Sequence, residues 1–259
     1  MTRFEGIYVA IVTPFTEAGE VDEARLHEHV DWLIQNGVHG IIPTGSVGEY
    51  ASLTDDERRK VVEIAVKAAA GRVPVVVGTG APSTTKAVYW AKHAKEAGAT
   101  GIMALPPLNY RPTRKEVYAF YQALSEVGLP IIVYNNPFDT AVDLTPDFLA
   151  ELSKIENIVG VKEFSGDVRR IPEILEKTDL QVLAGCDDLA LEGMLAGAIG
   201  WIAGFTNTLP KESVQLYEWA KEGKVQEATQ LYRRLLPLFR YDSSPRLVQA
   251  IKYSLALAG

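Results

Sequence analysis

The sequence predicts an α/β fold, a (β/α)8 barrel followed by C-terminal helices, and three observations lead there. Eight short apolar segments recur along the chain, rich in β-branched residues and apolar on both faces, as in a parallel sheet covered by helices. Longer amphipathic stretches alternate with them from one end to the other. The length of 259 residues suits eight such units. A doubly wound open sheet is the rival, but it shows fewer strands and a glycine-rich first turn, whereas Thr13-Pro14-Phe15 follows the first segment here.

The strand segments are residues 6–12, 40–42, 73–78, 101–105, 130–134, 158–162, 180–184 and 200–203. Helix starts are written between them. Thr54-Asp55-Asp56-Glu57 reads as a capping box ahead of Val61, Val62, Ile64 and Ala65. Ser83-Thr84-Thr85-Lys86 opens another helix, and Thr145-Pro146-Asp147-Phe148 a third with proline at its first position. After the eighth strand come helical patterns over 211–222 and 225–239, and a third that begins at Ser244-Pro245-Arg246 and runs to Gly259. Residues 1–208 are therefore expected to form the barrel core and 209–259 a helical extension packed on it, within a single domain. No linker or low-complexity tract interrupts the chain.

Composition narrows the function. Hydrophobic residues make up 47% of the chain and charged residues 23%, the balance of a soluble globular protein able to bury a large core. The net charge is -7 with both signs interleaved and no Lys/Arg-rich run, which gives no footprint for nucleic acid. The single cysteine, Cys186, permits no intramolecular disulfide and no cysteine-based metal site. No cluster suggests a metal, and no cofactor is implied. The N-terminus lacks a signal-peptide layout and no apolar run approaches the roughly 18 residues of a membrane span, so a cytoplasmic location is expected.

In a barrel the active site lies at the carboxyl ends of the strands, so chemistry is sought there. Lys162 ends the run Ile158-Val159-Gly160-Val161-Lys162, where a strongly hydrated ammonium is out of place. A lysine of pKa about 10.4 is neutral about once in a few thousand molecules at pH 7, and a desolvated strand end raises that fraction. Such an amine is suited to form a Schiff base with a carbonyl substrate. The bland alternative is a lysine whose stem packs on the strand while its head reaches water. Tyr134 ends the neighbouring fifth strand, and a phenol beside an iminium can shuttle protons; its alternative role is an aromatic cap on the core. Gly45-Ser46-Val47-Gly48-Glu49, after strand two, combines glycines and a hydroxyl in a loop whose N–H groups can receive a carboxylate such as that of a 2-keto acid. Cys186 has no histidine near it in this order, since His27, His29, His39 and His93 all precede strand four, and His93 reads as a surface residue.

Pro43-Thr44-Gly45-Ser46-Val47-Gly48-Glu49, Val133-Tyr134-Asn135-Asn136-Pro137 and Gly160-Val161-Lys162-Glu163-Phe164-Ser165-Gly166-Asp167 together resemble, in order and spacing, the signatures of the dihydrodipicolinate synthase and N-acetylneuraminate lyase superfamily. Thr13-Pro14-Phe15 and Gly185-Cys186-Asp187-Asp188 add to the likeness, which covers nearly the whole chain. The resemblance implies a (β/α)8 barrel acting as a class I aldolase on pyruvate or a related 2-keto acid, assembled as a homotetramer of two tight dimers. It implies Lys162 as the Schiff-base lysine, Tyr134 as the proton-transfer phenol and Ser46 as the hydroxyl that relays protons to it. Ser46, Val47 and Gly45 hold the substrate carboxylate in this reading, with Asp139, Tyr110 and Ile202 as further substrate contacts.

The departures from the pattern bear on which member this is. The synthases carry an arginine shortly after the Tyr-Asn-x-Pro motif for the carboxylate of their aldehyde substrate, and this chain has Asp139 in that stretch, which repels it. A second relay threonine is Val47, and the aromatic loop contributed across the dimer reads Pro106-Pro107-Leu108-Asn109-Tyr110-Arg111-Pro112. The expectation is a catabolic lyase that splits, dehydrates or deaminates a keto-deoxy acid. The alternatives are 4-hydroxy-tetrahydrodipicolinate synthase and a non-catalytic keto-acid-binding barrel. Relatives commonly carry more helix after the barrel, so this chain is expected to be short at its C-terminus.

Overall fold

Eight parallel strands form the barrel: β1 (Gly6–Ala10), β2 (Gly40–Ile42), β3 (Val76–Gly78), β4 (Gly101–Ala104), β5 (Ile131–Asn135), β6 (Ile158–Glu163), β7 (Gln181–Ala184) and β8 (Gly200–Ala203). They pair in the order β2-β1-β8-β7-β6-β5-β4-β3, and a parallel bridge between Ile41 and Val75 brings the two ends of the sheet together. This computed structural model describes residues 2–258, so Met1 and the Gly259 end of the last expected helix lie outside the described residues. The strands are buried along almost their whole length, because barrel interior and helix layer cover both faces.

Strand ends depart from the sequence reading where a backbone group finds another partner. The first segment stops at Ala10 rather than Val12, because the Val12 N–H donates to Asn207 Oδ1 at 3.1 Å instead of continuing the ladder. The third begins at Val76 rather than Val73, since Pro74 has no N–H to offer a neighbouring strand. Helix starts follow their caps. Thr54 and Glu57 form a reciprocal capping box, Ser83 caps Thr84–Glu96, and Thr145 caps Pro146–Leu152.

Helix Pro210–Lys221 follows β8 and packs against β1, with the Tyr217 hydroxyl 3.2 Å from Glu5. It completes the ring of helices. Beyond it, helix Val225–Phe239 lays Phe239 edge-on against Trp201 of β8, with ring centroids 5.3 Å apart. A turn at Arg240–Ser243 then carries the chain back over the carboxyl end of the barrel to helix Leu247–Ala258. Lys252 of this last helix pairs with Glu49 in the loop after β2. The helices after the barrel are thus tied to the end where a site is expected.

Candidate active site

Register fixes the central pair. Tyr134 of β5 lies directly beside Lys162 of β6, and Asn135 beside Glu163. The second pair is bonded through its side chains, Asn135 Nδ2 donating to Glu163 Oε2 at 3.0 Å, so the two strand ends cannot slip against each other. Alternation then turns the Lys162 and Tyr134 side chains to the same face. Lys162 is only 6% exposed. Its Nζ lies 4.3 Å from the centroid of the Tyr134 ring and 5.5 Å from that of Phe164.

No carboxylate among the described residues pairs with Lys162 at ion-pair distance. Burial pushes its pKa down, opposed by the charges of Asp242, Asp187, Cys186 and Asp139. The aromatic faces also favour the cation, but by about 0.5–2 kcal/mol, on the order of one pKa unit. Desolvation is the larger effect, so the neutral amine is more accessible than in free lysine. The phenol of Tyr134 moves the other way. Burial first, and then the nearby Asp242, hold its pKa well above the usual range, so at neutral pH it remains a proton donor. Asn136 Nδ2 lies 3.3 Å from the Tyr134 hydroxyl and 2.8 Å from Asp139 Oδ2, which places phenol, amide and carboxylate in one line.

The loop after β2 is held in shape by its neighbours. Thr44 adopts φ 55° and donates from Oγ1 to the Gly78 carbonyl at 2.9 Å. Thr13 Oγ1 reaches the Gly48 carbonyl at 2.7 Å. A Cβ at Gly48 would lie 3.0 Å from the Ile11 carbonyl oxygen, so glycine favours this close approach of the loop to the segment after β1. Among the described residues the backbone N–H groups of Ser46 and Val47 donate to no protein acceptor, the open donors a carboxylate requires.

These elements enclose a cavity of about 590 Å³. Gly45, Ser46, Val47, Tyr134, Asp139, Lys162 and Ile202 all line it, so the structure brings together every sequence-predicted site residue except one. Tyr110, on the loop after β4, is 81% exposed and does not line the cavity of its own chain. Ser46 is exposed at the mouth, and among the described residues its hydroxyl makes no hydrogen bond to Tyr134. Cys186 also lines the cavity, with its thiol pKa pushed up by burial. His93 is not the surface residue its sequence position suggests: its side chain is largely buried beside Trp90, with Nε2 3.1 Å from Glu63. Among the described residues no group of three or more His, Cys, Asp or Glu side chains could hold a metal ion.

Sequence reasoning missed Asp242. It lies on the turn after the barrel, 8% exposed, and its Oδ2 accepts the Asp187 N–H at 2.8 Å while its side chain lines the cavity with Lys162. Asp187, singled out by its place after β7, turns its carboxylate away to Trp201 Nε1 at 3.0 Å and to the N–H groups of Gly204 and Phe205. Its own role is to join β7 to β8.

Dihydrodipicolinate synthetase family sequences share a profile that matches residues 3–259. The chain belongs to that family. It is 40% identical to the 4-hydroxy-tetrahydrodipicolinate synthase of Syntrophobacter fumaroxidans over 95% of this chain and 87% of the relative. Identity is 37% to the enzyme of the same name from Methanospirillum hungatei, covering 98% of this chain and 90% of that one. The crystal structure of the chloride-inhibited dihydrodipicolinate synthase of Acinetobacter baumannii complexed with pyruvate superposes with a TM-score of 0.92 at 34% identity, over 98% of this chain and 89% of that one. Family membership makes this chain a Schiff-base-forming lyase of the class I aldolase type, and the cavity built around Lys162 is the place in its barrel suited to that chemistry.

Proposed function

We propose that Lys162 forms an imine with pyruvate or another 2-keto acid and that the cavity then makes or breaks a bond beside the former carbonyl carbon. The observation that carries this reading is an unpaired, buried lysine held 4.3 Å from the ring of a protonated tyrosine. Neutral Lys162 attacks the carbonyl, the iminium accepts the electron pair of the bond that then changes, and at that bond Tyr134 gives and takes the proton of the departing or attacking oxygen. Gly45, Ser46 and Val47 receive the keto acid's carboxylate on open N–H groups and a hydroxyl. Asp139 and Ile202 face the remainder of the substrate. Borohydride added with saturating pyruvate should leave the reduced pyruvyl group on the peptide that contains Lys162, and an unmodified peptide would sink the assignment.

The names of the relatives favour a second reading, 4-hydroxy-tetrahydrodipicolinate synthase. Asp139 opposes it, because a carboxylate lining the cavity repels an aldehyde that carries one of its own. The preferred reading is a catabolic lyase whose substrate presents hydroxyl or amine groups to Asp139. A coupled assay with pyruvate and aspartate semialdehyde should show slow turnover that rises about tenfold or more in Asp139→Arg, a change of roughly 1.4 kcal/mol. Turnover typical of a synthase in the unaltered protein would instead establish the second reading. A screen of 2-keto-3-deoxy sugar acids, sialic acid and pyrroline hydroxycarboxylate separates the lyase types by release of pyruvate, water or ammonia.

The same reading places the enzyme in the cytoplasm as a homotetramer of two dimers, with exposed Tyr110 turned to a neighbouring subunit. Sedimentation as a monomer would remove that assembly. Among the described residues no helix is long and apolar enough to cross a membrane.

A further inference from the structure

We propose that Lys162 and Asp242 share a single proton, which rests on the Asp242 carboxyl while Lys162 attacks and is released to the reacting centre when the carbinolamine loses water. The inference rests on the imine-forming role of Lys162 proposed above. It begins from an imbalance between two neighbouring buried acids, the backbone N–H of Asp187 donating to the carboxyl of Asp242. Asp187 accepts hydrogen bonds from three N–H donors, those of Trp201 Nε1, Gly204 and Phe205, at 2.8–3.2 Å. That is the environment of an ionised carboxylate. Asp242 accepts only one among the described residues, from the Asp187 backbone N–H to Oδ2. Among the described residues its other oxygen has no protein donor, and Asp242 lines the cavity that Lys162 enters.

Charge arithmetic then assigns the proton. The ionisable groups that face Asp242 are Lys162 from β6, Tyr134 from β5, Cys186, and Asp187 and Asp188 after β7. Lys162 is the only amine among them. Two carboxylates this close and this buried do not both ionise readily, and the less well hydrogen-bonded member keeps its proton. Burial and the adjacent Asp187 charge both hold Asp242 well above the ordinary carboxylate range, while burial lowers Lys162. Among the described residues Lys162 is buried with no carboxylate at ion-pair distance and Asp242 has a single donor, so a neutral amine and a neutral carboxylic acid are the pair this cavity accommodates with least buried, unpaired charge.

Imine formation needs the proton that this pair stores. Lys162–NH2 adds to the ketone carbon, and the carbinolamine hydroxyl leaves as water with one added proton, so that amine, ketone and H⁺ give iminium and water. With Asp242–COOH as the source, the products are iminium, water and Asp242–COO⁻. No proton is exchanged with solvent, and the permanent cation is left facing a carboxylate. A residue held on the turn after the barrel thereby contributes to chemistry at β6.

Calorimetry of pyruvate binding in buffers of different ionisation heat measures the proton count directly. The unaltered enzyme should show none taken up between pH 6.5 and 8, and a pyruvate affinity that is flat with pH. Asp242→Asn keeps an acceptor for the Asp187 N–H and removes the acid. It should take up about one proton per pyruvate, so that affinity falls roughly tenfold per pH unit over the same range. Asp242→Glu should restore the flat profile, and Asp242→Ser gives the same readout if the asparagine variant does not fold. Uptake of a proton by the unaltered enzyme overturns the proposal whatever the variants do, as does a variant lacking the carboxyl with the same proton count and flat profile. Borohydride trapping is run in parallel, and failure to label Lys162 would remove the imine itself, a result distinct from a wrong assignment of its proton.

Discussion

Lys162→Ala should reduce turnover on the best substrate to background and abolish the borohydride-trapped adduct, with little change in fold. In the proposed reaction the amine is the group that bonds to substrate, and among the described residues no second lysine lines the cavity to take its place. Truncation also removes a desolvated amine that the fold tolerates without an ion-pair partner, so thermal stability should hold or rise. The sign follows from its lowered pKa: the native state disfavours the lysine cation, a penalty felt below the native pKa and lost as pH rises through the range up to 10.5. A thermal melt near neutral pH, set beside the trapping experiment, separates this outcome from simple misfolding. Residual turnover above a few per cent would show that the imine forms elsewhere.

Tyr134→Phe should lower kcat by roughly 10²- to 10⁴-fold, the usual range for a lost general acid or base. Trapping should remain detectable, because the proposed reaction assigns carboxylate capture to the loop at Ser46 and Val47 and gives the phenol proton movement after the substrate has docked. The substitution keeps the ring 4.3 Å from Lys162 Nζ and deletes only the hydroxyl that Asn136 contacts. Packing therefore survives and the loss reports on proton transfer. Near-normal turnover would return Tyr134 to the role of an aromatic cap on the core.

The fold was legible because local signals and global topology agree. Each strand announced itself as an apolar, β-branched run, and Thr54, Ser83 and Thr145 marked helix starts with caps that are formed. Lys162, Tyr134 and the Gly45–Val47 loop were legible for a different reason: a parallel barrel delivers every strand's carboxyl end to one rim, so their order alone predicts proximity. Asp242 was not legible. It lies 55 positions from the Asp187 N–H it accepts, on a turn with no periodicity or motif of its own, and only the path of the chain back over the barrel brings it to the cavity. Tyr110 illustrates the converse. Its local sequence suggests a substrate contact, but the loop after β4 points it to the outside of its own chain.

The Asn136 amide binds the Tyr134 phenol and the Asp139 carboxylate with one nitrogen. In the proposed reaction the carboxylate that selects the substrate and the phenol that moves its protons therefore share a tether. Loss of the carboxylate at position 139 removes one of the two contacts of the Asn136 nitrogen, leaves Asn136 Oδ1 held by the backbone N–H of residue 139 at 3.2 Å, and changes the field at the phenol, which already senses the Asp139 charge. Redesign for a new substrate in this barrel is thus a two-position problem. Libraries that vary 139 alone will trade selectivity against rate, and those that vary 136 and 139 together let the two properties move apart.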